Sequence, residues 1–397
     1  MPTPPIERDE SLQAILNGGA LKREDAIRFL SYSDDSARLL WSAAAKLRTS
    51  GKGRVVSYSR KVFIPLTNLC RDYCGYCTFK KDPWENDALT MSPEQVIAVA
   101  EAGRKMRCTE ALFTLGERPE QRYAEARDAL RKLGFSTTLE YVRYASEMVI
   151  KKTGLLPHAN PGTMTKKEMA SLRDVNASMG LMLENVSDRL CKKGGPHEYA
   201  PSKHPKLRLA TIKNAGELKI AFTTGLLIGI GETVDEIVDS LYAIKQLNDE
   251  YGHIQEIIIQ NFRAKPDTPM KEHSEPSHEL MRNVVAVTRL LFGKEMNVQV
   301  PPNLTPSSYP DFLMCGINDW GGISPVTKDF VNPEAPWPEV QLVNGACEQH
   351  GLKLKARLPV YPEFIVAKNE FIPDPVKPLI QSMIDKDGYV SWSDMCN

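Results

Sequence analysis

The sequence predicts an α/β protein: a TIM-type (β/α) barrel with an N-terminal helical extension and a C-terminal appendage. Three observations predict it. Short apolar runs alternate with helical patterns along the chain. Polar or glycine residues follow almost every apolar run. The length of 397 residues suits one barrel with additions. Alternation of this kind argues for parallel strands joined by crossover helices. Polar groups recurring after the strands match the end of a barrel where catalytic side chains collect.

The elements follow in order. Residues 1–54 read as a helical preface, in which Ser33, Asp34 and Asp35 cap a helix running to about Leu47. The barrel is expected over 55–345 and the appendage over 346–397. Strand-like runs occur at 62–66, 111–115, 181–183, 222–228, 257–259 and 298–300. Ser92-Pro93-Glu94-Gln95 reads as an N-cap with Pro at the first helical position, and Thr165/Glu168 and Thr233/Glu236 read as capping boxes. Ile237, Leu241, Ile244 and Leu247 form one helical stripe. Met169, Leu172, Val175 and Met179 are expected to form another, stopped by Gly180. The proline-rich stretch 332–338 reads as a loop leading out of the barrel.

Composition narrows the function classes. Lys plus Arg equals Asp plus Glu, 50 each, so no electrostatic footprint for nucleic acid or an anionic membrane is visible. A small-molecule substrate is the expectation. The N-terminus has no basic-then-apolar signal pattern, and no apolar run is long enough to cross a bilayer. A cytoplasmic location, with the eight cysteines reduced, is therefore expected.

The chemistry concentrates at Cys70, Cys74 and Cys77. Three cysteines at x3 and x2 spacing follow the first strand on a short polar loop, Cys-Arg-Asp-Tyr-Cys-Gly-Tyr-Cys. Thiolates are the ligands of iron–sulfur clusters, normally four of them. Three leave one iron open, and an open position is what a catalytic metal needs. Other readings stand beside this one. The thiols could hold a structural zinc, although no further ligand follows at finger-like spacing. They could be core thiols, although Arg71, Asp72 and Gly75 make the loop polar. They could belong to a closed electron-transfer cluster completed by Cys108, Cys191, Cys315, Cys347 or Cys396.

C-x3-C-x2-C after a first barrel strand, with an aromatic at Tyr76, resembles the radical S-adenosylmethionine (SAM) family. The resemblance implies a [4Fe–4S] cluster whose open iron is chelated by SAM. It further implies that the reduced cluster cleaves SAM to methionine and a 5′-deoxyadenosyl radical. Gly116-Glu117 sits where the family carries its glycine–glutamate motif, which implies that Glu117 accepts from the SAM ammonium. Glu184 would take ribose hydroxyls. Gly229, Ile230 and Gly231 lie in a glycine-rich strand-to-helix segment; it lacks the third glycine of a Rossmann fingerprint, and the resemblance has its backbone meet adenine. Lys192, Lys193, Lys203, His204, Lys206 and Arg208 surround Gly194-Gly195-Pro196 and read either as a solvated face or as a lid.

The match extends beyond the cysteines. The segments CRDYCGYCTF, TLGERPE, TTGLLIGIGET, IIIQNFRAK and GINDWGGISPVT resemble the ring-closing subunit family of FO synthase, over roughly residues 55 to 365. The implied activity is a carbon–nitrogen lyase that cyclises 5-amino-5-(4-hydroxybenzyl)-6-(D-ribitylimino)-5,6-dihydrouracil to a deazaflavin and releases ammonia. A sibling enzyme joining tyrosine to 5-amino-6-(D-ribitylamino)uracil, and menaquinone-pathway relatives, are the alternatives. The implied partners are a low-potential electron donor and the companion FO synthase subunit. Barrel position suggests Asn160, His197, Asn261, Asn303, Asp319 and Trp320 for the substrate.

Overall fold

The computed structural model describes residues 9–391. Cys396 lies outside them. Three helices open the chain: α1 (Glu10–Leu16), α2 (Arg23–Leu30) and α3 (Asp34–Lys52). The repeating strand–helix body follows. It comprises β1 (Val55–Pro65), α4 (Pro93–Lys105), β2 (Glu110–Thr114), α5 (Ala124–Lys132), α6 (Thr138–Thr153) and β3 (Leu156–Asn160). It continues with α7 (Lys166–Arg173), β4 (Ser178–Gly180), α8 (Pro205–Glu217), β5 (Phe222–Ile228), α9 (Val234–Tyr251) and β6 (Ile254–Asn261). α10 (His278–Phe292), β7 (Asn297–Gln299) and β8 (Asp319–Ile323) complete it. The chain ends in α11 (Val340–Gln349), β9 (Lys353–Arg357), α12 (Pro362–Val366) and α13 (Lys377–Gln381).

β2 to β8 pair in sequence order, and β1 pairs both β8 and β2, so the sheet closes into an eight-stranded parallel barrel. The helices between strands start where the chain predicts. Reciprocal capping boxes form at Ser92/Gln95, Thr165/Glu168 and Thr233/Glu236, and a fourth at Thr137/Glu140. Each satisfies two otherwise orphaned groups and fixes where the strand-to-helix turn ends. The N-terminal helices pack on the barrel's outer helices. Trp41 donates to Asn283 on α10 at 2.8 Å, and Asn283 donates to the carbonyls of Leu30 and Tyr32.

Several expectations are corrected. α7 ends at Arg173, and Met179 and Gly180 belong to β4, not to a helix. The Asn176 side chain donates to the Leu172 carbonyl at 2.9 Å, which caps the helix early and frees Ser178 to pair with His158. Residues 181–183 follow this short strand. The stretch 319–322, outside the strand-like runs read from the sequence, belongs to β8. The 332–338 loop does not lead away from the barrel: Asn332 and Trp337 line its central cavity. A division at 345/346 would fall inside α11.

The C-terminal segment is the floor of the barrel. β9 adds to the free first half of β1, in register from Val55↔Lys353 to Ser59↔Arg357. Leu358, Val360, Tyr361, Phe364, Phe371, Ile372, Val376 and Ile380 then pack against Leu156, Ala177 and Ala221 at the starts of the strands. Burying this apolar face shuts water out of the barrel's lower end. Among the described residues no helix is long and apolar enough to cross a membrane.

Candidate active site

A cavity of about 360 Å³ runs down the barrel axis. At the strand C-termini its wall includes Cys70, Cys74, Cys77, Tyr76, Gly116, Glu117, Asn160, Glu184 and Asn261. Near the strand starts it reaches Lys61, Glu110, His158, Glu256 and Arg357.

The cysteine loop is held by two neighbours. Tyr73 N–H donates to the Tyr199 carbonyl at 2.9 Å, and Gly75 N–H to Pro196 at 2.7 Å. Arg71 Nε donates to Ser202 Oγ at 2.8 Å, and Ser202 N–H to Asp72 at 3.2 Å. The 196–202 loop is thus the backing of the cysteine loop. Cys70 Sγ accepts backbone N–H groups from Asp72 (3.4 Å) and Glu117 (3.2 Å), which favours its thiolate. Burial works the other way and pushes the Cys70 thiol up to about 12, and the Cys74 thiol well above its usual value. Thiols of this kind become ligands when a cation takes the place of the proton.

Three thiols therefore fit a cluster chemically. No group of three or more His, Cys, Asp or Glu among the described residues is arranged to hold one metal ion. A cubane does not require that arrangement, because its cysteines bind different irons.

Gly116 is where the first two strand ends meet. A Cβ there would lie 2.0 Å from the Leu69 carbonyl oxygen and 2.8 Å from Cys70 Cβ. Only glycine permits this approach. Next to it, Glu117 Oε1 accepts from Thr163 N (3.0 Å), Thr163 Oγ1 and Arg71 Nη2 (3.3 Å). Its Oε2 faces Gly162, where a Cβ would come within 2.2 Å. Glu184 holds a left-handed backbone (φ 65°) and accepts from Lys203 Nζ at 2.5 Å, with Arg208 Nη2 3.7 Å away. A non-glycine residue in that region marks strain that the surroundings must hold. The basic cluster thus divides: Lys203 and Arg208 line the cavity, while Lys192, Lys193, His204 and Lys206 face solvent.

Tyr76 is half-buried beside an apolar patch of Leu190, Leu227, Ile230 and Phe262. Its hydroxyl lies 3.0 Å from His197 Nε2. His197 does not line the cavity. Burial, with Lys203 and Arg208 nearby, drops its pKa to about 2, so the imidazole is neutral and positions Tyr76. The backbone amides of Gly229 and Ile230 donate to Glu232 at 2.7 and 2.8 Å. The amides of Gly229 and Ile230 are therefore already taken, and what Ile230 contributes to the patch is its side chain.

Of the expected substrate residues, Asp319 and Asn303 do not line the cavity, and Trp320 borders it with its indole turned away. Asp319 is fully buried, accepting from Arg357 Nε (2.7 Å) and Nη2 (2.9 Å), Ser57 Oγ (2.5 Å) and Gly321 N (2.6 Å). It belongs to the sealed floor. The Trp320 side chain is fully buried against Tyr309 and donates to Cys347 Sγ at 3.5 Å, because alternate strand residues point out of the barrel. Asn303 donates to Asp329 (3.0 Å) and the Ala335 carbonyl (3.1 Å), bracing the 329–335 loop. Asn160 and Asn261 do line the cavity.

The floor groups were not among the expected site residues. Their signal was present: Lys61, Glu110, His158 and Glu256 are ionisable residues within buried strands. Burial raises Glu256 to about 7, and lowers His158 to about 4.

Residues 64–242 match the model of the radical SAM superfamily. The chain is 48% identical over 335 residues to the 7,8-didemethyl-8-hydroxy-5-deazariboflavin synthase of Methanopyrus kandleri, covering 84% of this chain and 99% of that protein. It is 46% identical to the protein of the same name from Methanocaldococcus jannaschii, covering 87% and 94%. It is 44% identical to the FO synthase of Nocardia farcinica, covering 94% of this chain but 44% of that longer protein. Among solved structures, the hydrogenase maturase HydG of Carboxydothermus hydrogenoformans superposes with TM-score 0.72 at 17% identity, over 95% of this chain and 89% of that one. That likeness is one of fold.

Proposed function

Because the chain belongs to the 7,8-didemethyl-8-hydroxy-5-deazariboflavin synthase family of radical SAM enzymes, with a [4Fe–4S] cluster and SAM as cofactors, we propose that it closes the deazaflavin ring. The substrate is 5-amino-5-(4-hydroxybenzyl)-6-(D-ribitylimino)-5,6-dihydrouracil. The product is 7,8-didemethyl-8-hydroxy-5-deazariboflavin, and ammonia, methionine and 5′-deoxyadenosine are released. The observation that carries this reading is that three thiols, Glu117 and Glu184 line the top of one cavity whose far end is polar and closed.

In this reading Cys70, Cys74 and Cys77 hold the cluster. Bound there, the cluster and SAM supply a one-electron reductive cleavage that yields an adenosyl radical able to take a hydrogen atom from substrate. The chain does the rest by binding and exclusion. Glu117, with Oε1 fixed by three donors, offers Oε2 to the SAM ammonium. Tyr76, Leu227, Ile230 and Phe262 give adenine an apolar slot, and Glu184 takes ribose hydroxyls. The C-terminal floor keeps bulk water from a radical intermediate. Asn160 and Asn261 face the substrate. An electron donor of low potential is required, and a companion subunit supplies the tyrosine–uracil adduct; the longer FO synthase relatives leave room for such a second unit in one chain.

The test is anaerobic reconstitution with iron and sulfide, then addition of reductant, SAM and the adduct. Fluorescent deazaflavin should appear together with 5′-deoxyadenosine and ammonia. SAM cleavage without deazaflavin would refute this substrate and favour a different reaction on the same barrel.

A further inference from the structure

The cavity floor carries a polar wall that no part of the SAM site uses. It spans three adjacent strands: Lys61 on β1, Glu110 on β2 and His158 on β3. Lys61 and Glu110 are direct register partners, and β2 and β3 pair next to them. All three line the cavity, and each is less than a tenth exposed.

Each of these groups keeps an unused hydrogen-bonding position. Lys61 Nζ makes no hydrogen bond or ion-pair contact among the described residues. Its near neighbours are aromatic faces, Trp337 at 4.9 Å and Phe63 at 5.7 Å. Ring faces attract the charge but leave three N–H donors unfilled. Space has been cleared for this ammonium: a Cβ on Gly322 would lie 2.2 Å from Lys61 Cδ and 2.5 Å from Nζ. Glu110 Oε2 accepts from Ser59 Oγ, and Oε1 has no such donor.

The proton on His158 can be placed. Ser178 Oγ donates to the Pro359 carbonyl at 2.6 Å, since a carbonyl can only accept. The same Oγ lies 2.7 Å from His158 Nδ1 and must accept there, so Nδ1 carries the proton. Nε2 is then a bare acceptor on the cavity side, lying against Gly180, where a Cβ would be 3.0 Å away.

The wall thus offers one cationic donor and two acceptors. An imide edge of a pyrimidinedione presents acceptor, donor, acceptor, and would need two donors flanking one acceptor. A chain of hydroxyls can donate and accept at every carbon, and meets the set without leaving an unpaired group. We propose that Lys61, Glu110 and His158 form a polyol subsite that receives a hydroxylated chain at the bottom of the barrel, the D-ribityl group if the reading of the substrate above holds. The reacting ring then lies higher, toward the cysteine loop, and the polyol sets its depth.

The test is equilibrium dialysis on the reconstituted enzyme with SAM present. The probes are 5-amino-6-(D-ribitylamino)uracil and 5,6-diaminouracil, which share the ring and differ in the chain. The wild type should bind the ribityl probe at least about tenfold more tightly, the scale of one or two charge-assisted hydrogen bonds. Lys61→Met and Glu110→Gln should collapse that ratio toward one, leaving binding of diaminouracil unchanged. Gly322→Ala, which pushes Lys61 aside but keeps its charge, should do the same. Unchanged iron content and unfolding midpoint certify folding. A ratio that survives Lys61→Met, or a loss shared equally by both probes, overturns the proposal; so does a wild type that does not discriminate. A preserved ratio in a wild type that makes no deazaflavin would instead remove the proposed reaction and leave the polyol site standing.

Discussion

Asp319→Asn separates a floor residue from a substrate residue. The carboxylate takes four donors at 2.5 to 2.9 Å, two of them from Arg357, and is fully buried. An amide keeps one acceptor oxygen and turns an NH2 toward a remaining donor. Arg357 is then left with Glu256, 3.3 Å away, a carboxyl that burial raises to about 7 and that replaces the lost anion only in part. Removing one partner of a buried charge pair costs about 3–5 kcal/mol. Against a typical total of about 5–15 kcal/mol, that is a large share. The assay is urea unfolding followed by tryptophan fluorescence, since the adjacent Trp320 is sealed in the core. The expected result is an unfolding free energy lowered by that amount, read from the fall in midpoint at unchanged slope, with KM of the surviving enzyme little changed. A variant of unchanged stability and raised KM would refute the assignment of Asp319 to the floor.

Other perturbations test other parts. Gly116→Ala drives a Cβ to 2.0 Å from the Leu69 carbonyl; the cysteine loop must shift, and most of the reconstituted iron should be lost from a chain that remains folded by circular dichroism. Tyr76→Phe removes the contact to His197 at 3.0 Å, a bond of about 0.5–1.5 kcal/mol; SAM binding by dialysis should weaken about two- to tenfold, and an unchanged value would take this pair out of the site. Glu256, raised by burial from 4.5 to about 7, holds a proton in the folded chain that the unfolded chain releases. Its stabilising contribution is full below pH 4.5 and is lost as pH rises through about 7. Urea midpoints at pH 5, 6 and 8 should fall in that order, and Glu256→Gln should flatten the trend.

The cysteine loop was legible because its information is local: three thiols within eight residues, after one strand. Capped helices were legible for the same reason, since Thr233 and Glu236 satisfy each other within one turn. β3, β8 and β9 were not, because His158, Gly321 and Gly322, and the charged residues of β9, break the apolar run that marks a strand. Their reason lies across the barrel. Gly322 is small because Lys61 occupies its side-chain space, and Arg357 is buried because Asp319 and Glu256 meet it. Such pairings are set by closure of the sheet and have no short-range signature. Asp319 and Trp320 were assigned to substrate from being near a strand end, but the two residues point to opposite sides of β8, one into the floor and one into the outer core.

The proposed chemistry requires a three-cysteine cluster with one iron open to the cavity. Electron paramagnetic resonance of the reduced, reconstituted enzyme, recorded with and without SAM, tests it most directly. SAM should change the g-values of the cluster signal, and Cys74→Ala should abolish both the signal and 5′-deoxyadenosine formation. Identical spectra with and without SAM would mean a closed cluster, and would contradict the assignment of the cavity to radical chemistry.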